Sequence, residues 1–314
     1  MTLLLPAALL AITLQAEPVP VILDTDLGDD IDDTWALAML LGMDTVDLKL
    51  IVTASDDTPT KTRLVAKILE YVARTDIPLG TGVKTSDNAI HQAQWLGDYD
   101  LATYEGKVHA DGVQAMIDCI NASPVTVTLC VIGPQTNLRE ALRRDPGIAS
   151  KARVVSMAGS VHIGYAGKEG RVPEWNVHKD VEAARAVFAA PWEIVMAPLD
   201  INGTLTLEGE RYLAVAESGA PLARVVTENY QAWSNRDHYG ADASSALFDT
   251  TATYLCFADA AMELETVTLI IDDKGNTIPD ETGRPVRCAL RWKDRVAFEE
   301  LLVAALTGAA QAQP

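Results

Sequence analysis

Residues 19–33 read VPVILDTDLGDDIDD, and the fold is decided there. Val19 to Leu23 form a short apolar, β-branched run that ends at Asp24, which is the signature of a buried strand. From Asp32 the pattern changes to a helical stretch reaching Leu41. Six of the ten residues from Asp24 to Asp33 are aspartate, crowded between the end of a strand and the start of a helix. Helix capping accounts for one or two of them, because Asp suits a helix N-terminus and the dipole favours it there. It does not account for six. Two unit charges about 4 Å apart repel by roughly 4 kcal/mol at an effective dielectric near 20. Such crowding calls for bound protons or a cation, and an all-oxygen ligand set points to calcium or magnesium rather than zinc.

Outward from this segment, strands and helices alternate. Strands are expected at Leu48 to Thr53, Val125 to Ile132, Arg153 to Met157 and Trp192 to Met196. Between them lie helices at Thr60 to Arg74, from Gly133-Pro134 through Arg144, and from Asp180 to about Ala189. Parallel strands need crossovers and helices supply them, so the expected fold is α/β, a mostly parallel central sheet with helices on both faces. Ligands of such sheets bind beyond the carboxyl ends of the strands. Helices near Leu207 to Ala216, Leu222 to Ala232 and Arg295 to Leu306 follow, with a late hairpin of Val267 to Asp272 and Arg287 to Trp292. No internal repeat or low-complexity linker interrupts residues 17–314, which read as one catalytic domain. Leu3 to Leu14 form an apolar stretch shorter than the about 20 residues of a membrane span. Residues 1–16 therefore read as a signal peptide or apolar leader, implying an exported protein, or a cytoplasmic one if the leader is not a signal; no stable membrane anchor is expected.

Hydrophobic residues make up 48% of the chain and charged residues 22%, an ordinary globular balance that excludes disordered and fibrous classes. Lys and Arg number 25 against 44 Asp and Glu, and the net charge of -19 repels a phosphate backbone, so no nucleic-acid partner is expected. Cys119, Cys130, Cys256 and Cys288 lack C-x-x-C spacing and read as free, buried thiols.

Two motifs compete for the aspartates. An EF-hand loop needs glycine at its sixth position and a closing Glu, but Gly28 is fifth from Asp24. Aspartyl phosphatases place D-x-D after a first strand, which Asp24 and Asp26 could fit, but Asp30, Asp32 and Asp33 stay unexplained.

The stretch VILDTDLGDDIDDTWALAML resembles the N-terminal signature of the inosine-uridine-preferring nucleoside hydrolase family, a strand ending D-T/C-D-P-G-x-D-D. Here Leu27 stands where proline is common, and two extra residues precede the final Asp pair. Further segments agree in order over residues 19 to 306. Arg74 to Pro78 is similar to G-R-T-D-I-P, His109 to Gly112 to H-G-x-x-G, and Gly133 to Leu138 to G-P-L-T-N-L. Met157 to Ser160 is similar to M-G-G-x, Glu174-Trp175-Asn176 to E-F/W-N, and Met196 to Ile201 to M-x-P-L-D-V. Phe248-Asp249 falls where the family often has His-Asp.

This resemblance implies Ca2+-assisted hydrolysis of the N-glycosidic bond of a ribonucleoside, giving ribose and free base through an oxocarbenium-like transition state. It implies Asp26 as ligand and general base, Asp33 and Asp249 as further carboxylate ligands, and the carbonyl of Ile132 as the last protein ligand. Asp32 would bond a ribose hydroxyl, with Asp24 and Asp30 supporting the site. Asp56 would lie near the ribose, and Glu174 and Asn176, flanking Trp175, would hold its hydroxyls. Phe248 replaces a histidine proposed as proton donor in relatives, and phenylalanine cannot donate. Tyr230, Trp233, His238 and Tyr239 could wall the base, against the plainer reading of core packing and a surface histidine. His109 is a second candidate, whereas His91, His162 and His178 read as ordinary residues. A homo-oligomer, dimer or tetramer, is typical of the family. A non-catalytic ribose- or nucleoside-binding protein and an aspartate-dependent phosphatase stay as alternatives.

Overall fold

The computed structural model describes residues 17–233 and 242–309. Seven parallel strands form the main part of its sheet: β1 (Val19–Thr25), β2 (Val46–Thr53), β3 (Leu79–Thr81), β4 (Val108–His109), β5 (Val127–Val131), β6 (Ala152–Met157) and β7 (Ile194–Ala197). Three more, β8 (Met262–Ile271), β9 (Thr277–Pro279) and β10 (Arg284–Trp292), complete the order β4-β3-β2-β1-β5-β6-β7-β10-β8-β9. β10 joins β7 in parallel and pairs antiparallel with β8, which pairs antiparallel with β9. The expected late hairpin is thus a three-stranded antiparallel extension, its two long strands starting several residues before the apolar runs that announce them.

Helices α1 (Asp32–Leu41), α2 (Thr58–Tyr71), α3 (Gly112–Ala122), α4 (Thr136–Arg144), α5 (Trp175–Lys179) and α6 (Val181–Ala189) are interleaved with the parallel strands. Then come α7 (Leu199–Asn202), α8 (Gly209–Ala216), α9 (Pro221–Ala232), α10 (Phe248–Leu255) and α11 (Arg295–Thr307). Side chains alternate across a strand, so each buried strand feeds two cores. On β1, Val21 and Leu23 pack with Trp35 of α1, Val225 of α9 and Phe298 of α11. Ile22 points the other way, into Val113 of α3, Leu138 of α4 and Ala184 of α6. Helices therefore cover both faces, and the strands read as continuous apolar runs because neither face meets water.

α10 was hidden by composition. Its sequence FDTTATYL is rich in threonine, a poor helix former. Here the hydroxyls of Thr250, Thr251 and Thr253 donate to the carbonyls of Leu247, Phe248 and Asp249 at 2.7, 2.8 and 3.0 Å, and burial of this helix against α1 overrides propensity. Cys130, Cys256 and Cys288 are buried free thiols and Cys119 is half-buried. Among the described residues no helix is long and apolar enough to cross a membrane.

Candidate active site

The loops after β1, β2, β5 and β6, with α5 and the start of α10, enclose a cavity of about 570 Å³. Its floor is the aspartate segment. β1 delivers Asp24 fully buried, and Asn137 from α4 donates to it at 2.8 Å. The same amide donates to the Thr53 carbonyl and accepts from the Val83 N–H, tying β1, β2 and the loop after β3 together. The chain then turns at Gly28, whose φ of +116° and close approach to Ile90 exclude a side chain: a Cβ would lie 2.6 Å from the Ile90 methyl. Lys61 of α2 is completely buried beneath this turn, donating to the Asp26 carbonyl at 2.8 Å and to Asp29 at 2.6 Å. One internal ammonium therefore offsets part of the acidic charge.

Asp32 and Asp33 occupy the first turn of α1, and Asp249 the first turn of α10. Two helix N-termini converge, and the dipoles of both favour negative charge between them. Ligand oxygens of these three buried carboxylates lie within 4.8 Å of one another. The Asp249 N–H donates to Asp32 Oδ2 at 3.3 Å, and Thr25 Oγ1 donates to Asp33. Burial first, then repulsion from neighbouring acids (Asp30 and Asp26 at Asp32, Asp26 and Asp32 at Asp33, Asp32 and Asp33 at Asp249), holds all three well above the ordinary carboxylate range. Burial raises Asp26 to about 7 although Lys61 opposes it, and burial raises Asp24 to about 7 against the Asn137 hydrogen bond. Acids so placed keep their charges only if a cation joins them, and buried oxygen donors this close suit a hard divalent ion.

The expected ligands meet this arrangement with one difference. Asp33 and Asp249 come together, but the third member of the tight group is Asp32, expected on a sugar hydroxyl. Asp26 and Ile132 line the same cavity. The Ile132 carbonyl accepts from Asn176 Nδ2 at 3.0 Å and retains a second lone pair. Glu174 caps α5: its carboxylate accepts from the N–H groups of Asn176, Gly159 and Val177 at 2.8, 2.9 and 3.3 Å. Burial nonetheless raises it to about 7. The second hydrogen of the Asn176 amide goes to Met157 O at 3.1 Å, which leaves its Oδ1 facing no protein donor of the described set.

Asp56 follows β2 in a left-handed turn, with φ of +62° at Ser55 and +48° at Asp56. Burial disfavours its charge, but hydrogen bonds from Ser86 and the charge of Lys179 outweigh burial and lower its pKa. Trp175 is exposed at the cavity mouth, and Tyr165 meets Phe248 edge-on with ring centroids 5.9 Å apart.

Other expected residues stand elsewhere. His109 lies on the edge strand β4, three places from β1 in the sheet order, about 14 Å away at roughly 4.8 Å per strand, and it does not line the cavity. Trp233 does not line it either. Its indole is buried and donates to the Asp29 carbonyl at 3.0 Å, bracing the aspartate loop from behind, with Tyr230 packed edge-on against it at 5.7 Å. His238 and Tyr239 lie outside the described residues. Conversely, His91, which reads as an ordinary surface residue, lines the cavity, as do Asn88, Tyr165 and Lys179. Asn88 and His91 sit in a loop without periodicity; Gln92 fixes it by donating to the Asp30 carbonyl at 2.7 Å and accepting from Thr34 at 2.8 Å. Lys179 had one signal, its place one helical turn after Trp175.

A doubly covered, mostly parallel sheet with buried acids converging beyond its strand ends defines an α/β protein with an acidic ligand cavity. A family model, inosine-uridine preferring nucleoside hydrolase, matches residues 21–300. The chain is 34% identical over 225 residues to a pyrimidine-specific ribonucleoside hydrolase, RihA, of Enterobacter sp. (strain 638), covering 67% of this chain and 69% of that one. It is 32% identical over 224 residues to the RihA of Salmonella arizonae, covering 67% and 70%. Among solved structures, a plant nucleoside hydrolase shares the fold with a TM-score of 0.78 at 23% identity, over 92% of this chain and 99% of that one. The inosine-uridine preferring nucleoside hydrolase of Bacillus anthracis gives 0.73 at 20%, over 92% and 99%. The chain belongs to the inosine-uridine preferring nucleoside hydrolase family.

Proposed function

We propose that this chain hydrolyses the N-glycosidic bond of ribonucleosides with the help of a bound calcium ion. The observation that carries the proposal is the convergence of Asp32, Asp33 and Asp249 on a cavity also lined by Asp26, Ile132, Glu174 and Asn176. Asp33, Asp249, Asp26 and the Ile132 carbonyl would hold the ion, with Asp32 within reach. When bound, the ion supplies a positive centre that attracts the ribose diol and lowers the cost of deprotonating water. Asp26, which lines the cavity beside the three clustered carboxylates, takes a proton from the water that attacks C1′. Glu174 has one acceptor site left after its three backbone donors, and Asn176 has its free Oδ1; both can accept from sugar hydroxyls and fix the ring. Trp175 and Phe248 offer apolar surface to a flat base.

The test is incubation with uridine, cytidine, inosine and adenosine, with calcium or with chelator, reading free base and reducing sugar. Base release that stops on chelation and returns with calcium supports the proposal. Tight nucleoside binding without turnover would leave a binding protein on this fold, and turnover of p-nitrophenyl phosphate instead would make it a phosphatase.

A further inference from the structure

Lys179 is the only lysine or arginine among the described residues lining the cavity, in the company of eight carboxylates, and the mechanism above does not use it. Its ammonium lies 3.4 and 3.5 Å from the two oxygens of Asp56 and 5.0 Å from the centre of the Trp175 ring. Asp56 is already supplied with shorter bonds, from the Ser86 hydroxyl at 2.5 Å and the Asn88 amide at 2.9 Å. Asp56 therefore steers Lys179 without consuming it, and an ammonium has three donors to place. The location is specific. Asp56 follows β2, the strand beside β1, which delivers Asp26. Lys179 reaches it from α5, whose first turn carries Asn176. The ammonium thus links the loop after β2 to the helix that carries Asn176, and both line the cavity.

The chemistry asks for such a charge. As the C1′–N bond breaks, its electron pair stays on the base nitrogen, the water oxygen bonds to C1′, and the water proton passes to Asp26. The base carries negative charge until it takes a proton from solvent. Phe248 has no proton to give, His109 stands at the far edge of the sheet, and the exposed His91 turns its Nδ1 to the Asp29 carbonyl at 3.2 Å. We infer that Lys179, oriented by Asp56 and Trp175, stabilises the departing base, and that it favours bases with a carbonyl oxygen next to the breaking bond. That is the pyrimidine nucleoside class, in which an ammonium can hydrogen-bond the oxygen on which charge collects. The inference rests on the hydrolase reading of the cavity.

Its test compares the wild type with Lys179→Met and Lys179→Arg on uridine, 5′-deoxyuridine and p-nitrophenyl β-ribofuranoside. Loss of one charged hydrogen bond in the transition state lowers kcat on both uridines by on the order of 10- to 100-fold, with KM little changed. The loss is much smaller on the nitrophenyl riboside, whose leaving group is a weaker base, and Lys179→Arg recovers most of the rate. An equal loss on all three substrates makes Lys179 structural and overturns the inference. So does a loss confined to the substrates with a 5′-hydroxyl, which places the ammonium at the other end of the sugar, and so does no loss at all. A wild type that cleaves none of the three but releases base from inosine or adenosine also overturns the inference, whereas one that cleaves no nucleoside at all overturns the hydrolase reading itself, a result separable from every outcome with an active wild type.

Discussion

Chelating the ion and titrating the protein from pH 5 to 8 probes the buried acids directly. Asp26 has its pKa raised from 3.8 to about 7, chiefly by burial. Between those values the metal-free folded chain holds a proton that the unfolded chain has released. The contribution of Asp26 to stability therefore falls as pH rises through this window and levels off above about pH 7. Of that gap about two pH units lie between pH 5 and about 7, and at roughly 1.4 kcal/mol each they amount to about 3 kcal/mol from this one group. Asp24 and Glu174, raised to about 7 by burial, act in the same direction. At roughly 2–4 °C per kcal/mol, the chelated protein should lose on the order of 10 °C in Tm between pH 5 and 8. With millimolar calcium the loss should shrink sharply, because the ion binds ionised carboxylates and its contribution grows as they ionise. Asp249→Asn removes one buried acid and should flatten the chelated curve. Parallel curves with and without calcium, or a chelated protein more stable at pH 8 than at pH 5, would refute the argument.

Asp26→Asn removes the proposed base while keeping the shape, and should lower kcat by about 100- to 10,000-fold in the base-release assay, with the circular dichroism spectrum unchanged. Lys61→Met leaves Asp29 and the Asp26 carbonyl without their buried partner and should cost about 3–5 kcal/mol in denaturant unfolding. Asn137→Ala strips Asp24 of its donor and should cost about 1–3 kcal/mol, with a downward shift in Tm as the readout. Gly28→Ala forces a methyl into the Ile90 contact at a positive φ, so metal affinity measured by calorimetry should fall even where the fold survives.

The parallel half of the fold was legible because its strands are buried on both faces and α2 carries apolar residues at helical spacing; α1, buried nearly all round, runs from Asp32 to Leu41 as the sequence indicates. What sequence hid was short or tertiary in origin. β3 and β4 span three and two residues, too few for a pattern, and α10 is a threonine-rich helix that only packing holds. The site shows the same division. Asp26 and Asp33 stand out because charge clustered after a strand is costly and conspicuous, whereas Glu174, Asn176 and Asp249 were legible only through the segments that resemble the family's motifs. Asn88, His91 and Lys179 enter the cavity through a loop and a short helix whose sequences carry no such cost. His109 has the right motif in the wrong place, since strand order and not sequence order decides which loop ends meet.

The last helix bears on when the site can exist. α1 carries Asp32 and Asp33 on its first turn and ends at Gly42, where a Cβ would lie 2.2 Å from the Ala305 carbonyl of α11. Asp249 meets Asp32 across 217 residues of chain. A polypeptide emerging from the ribosome thus exposes its first acids long before their partner and their clamp have been made. Capture of the proposed ion would then be a closing event of assembly, and shaving α11 should loosen the grip on it at the opposite end of α1.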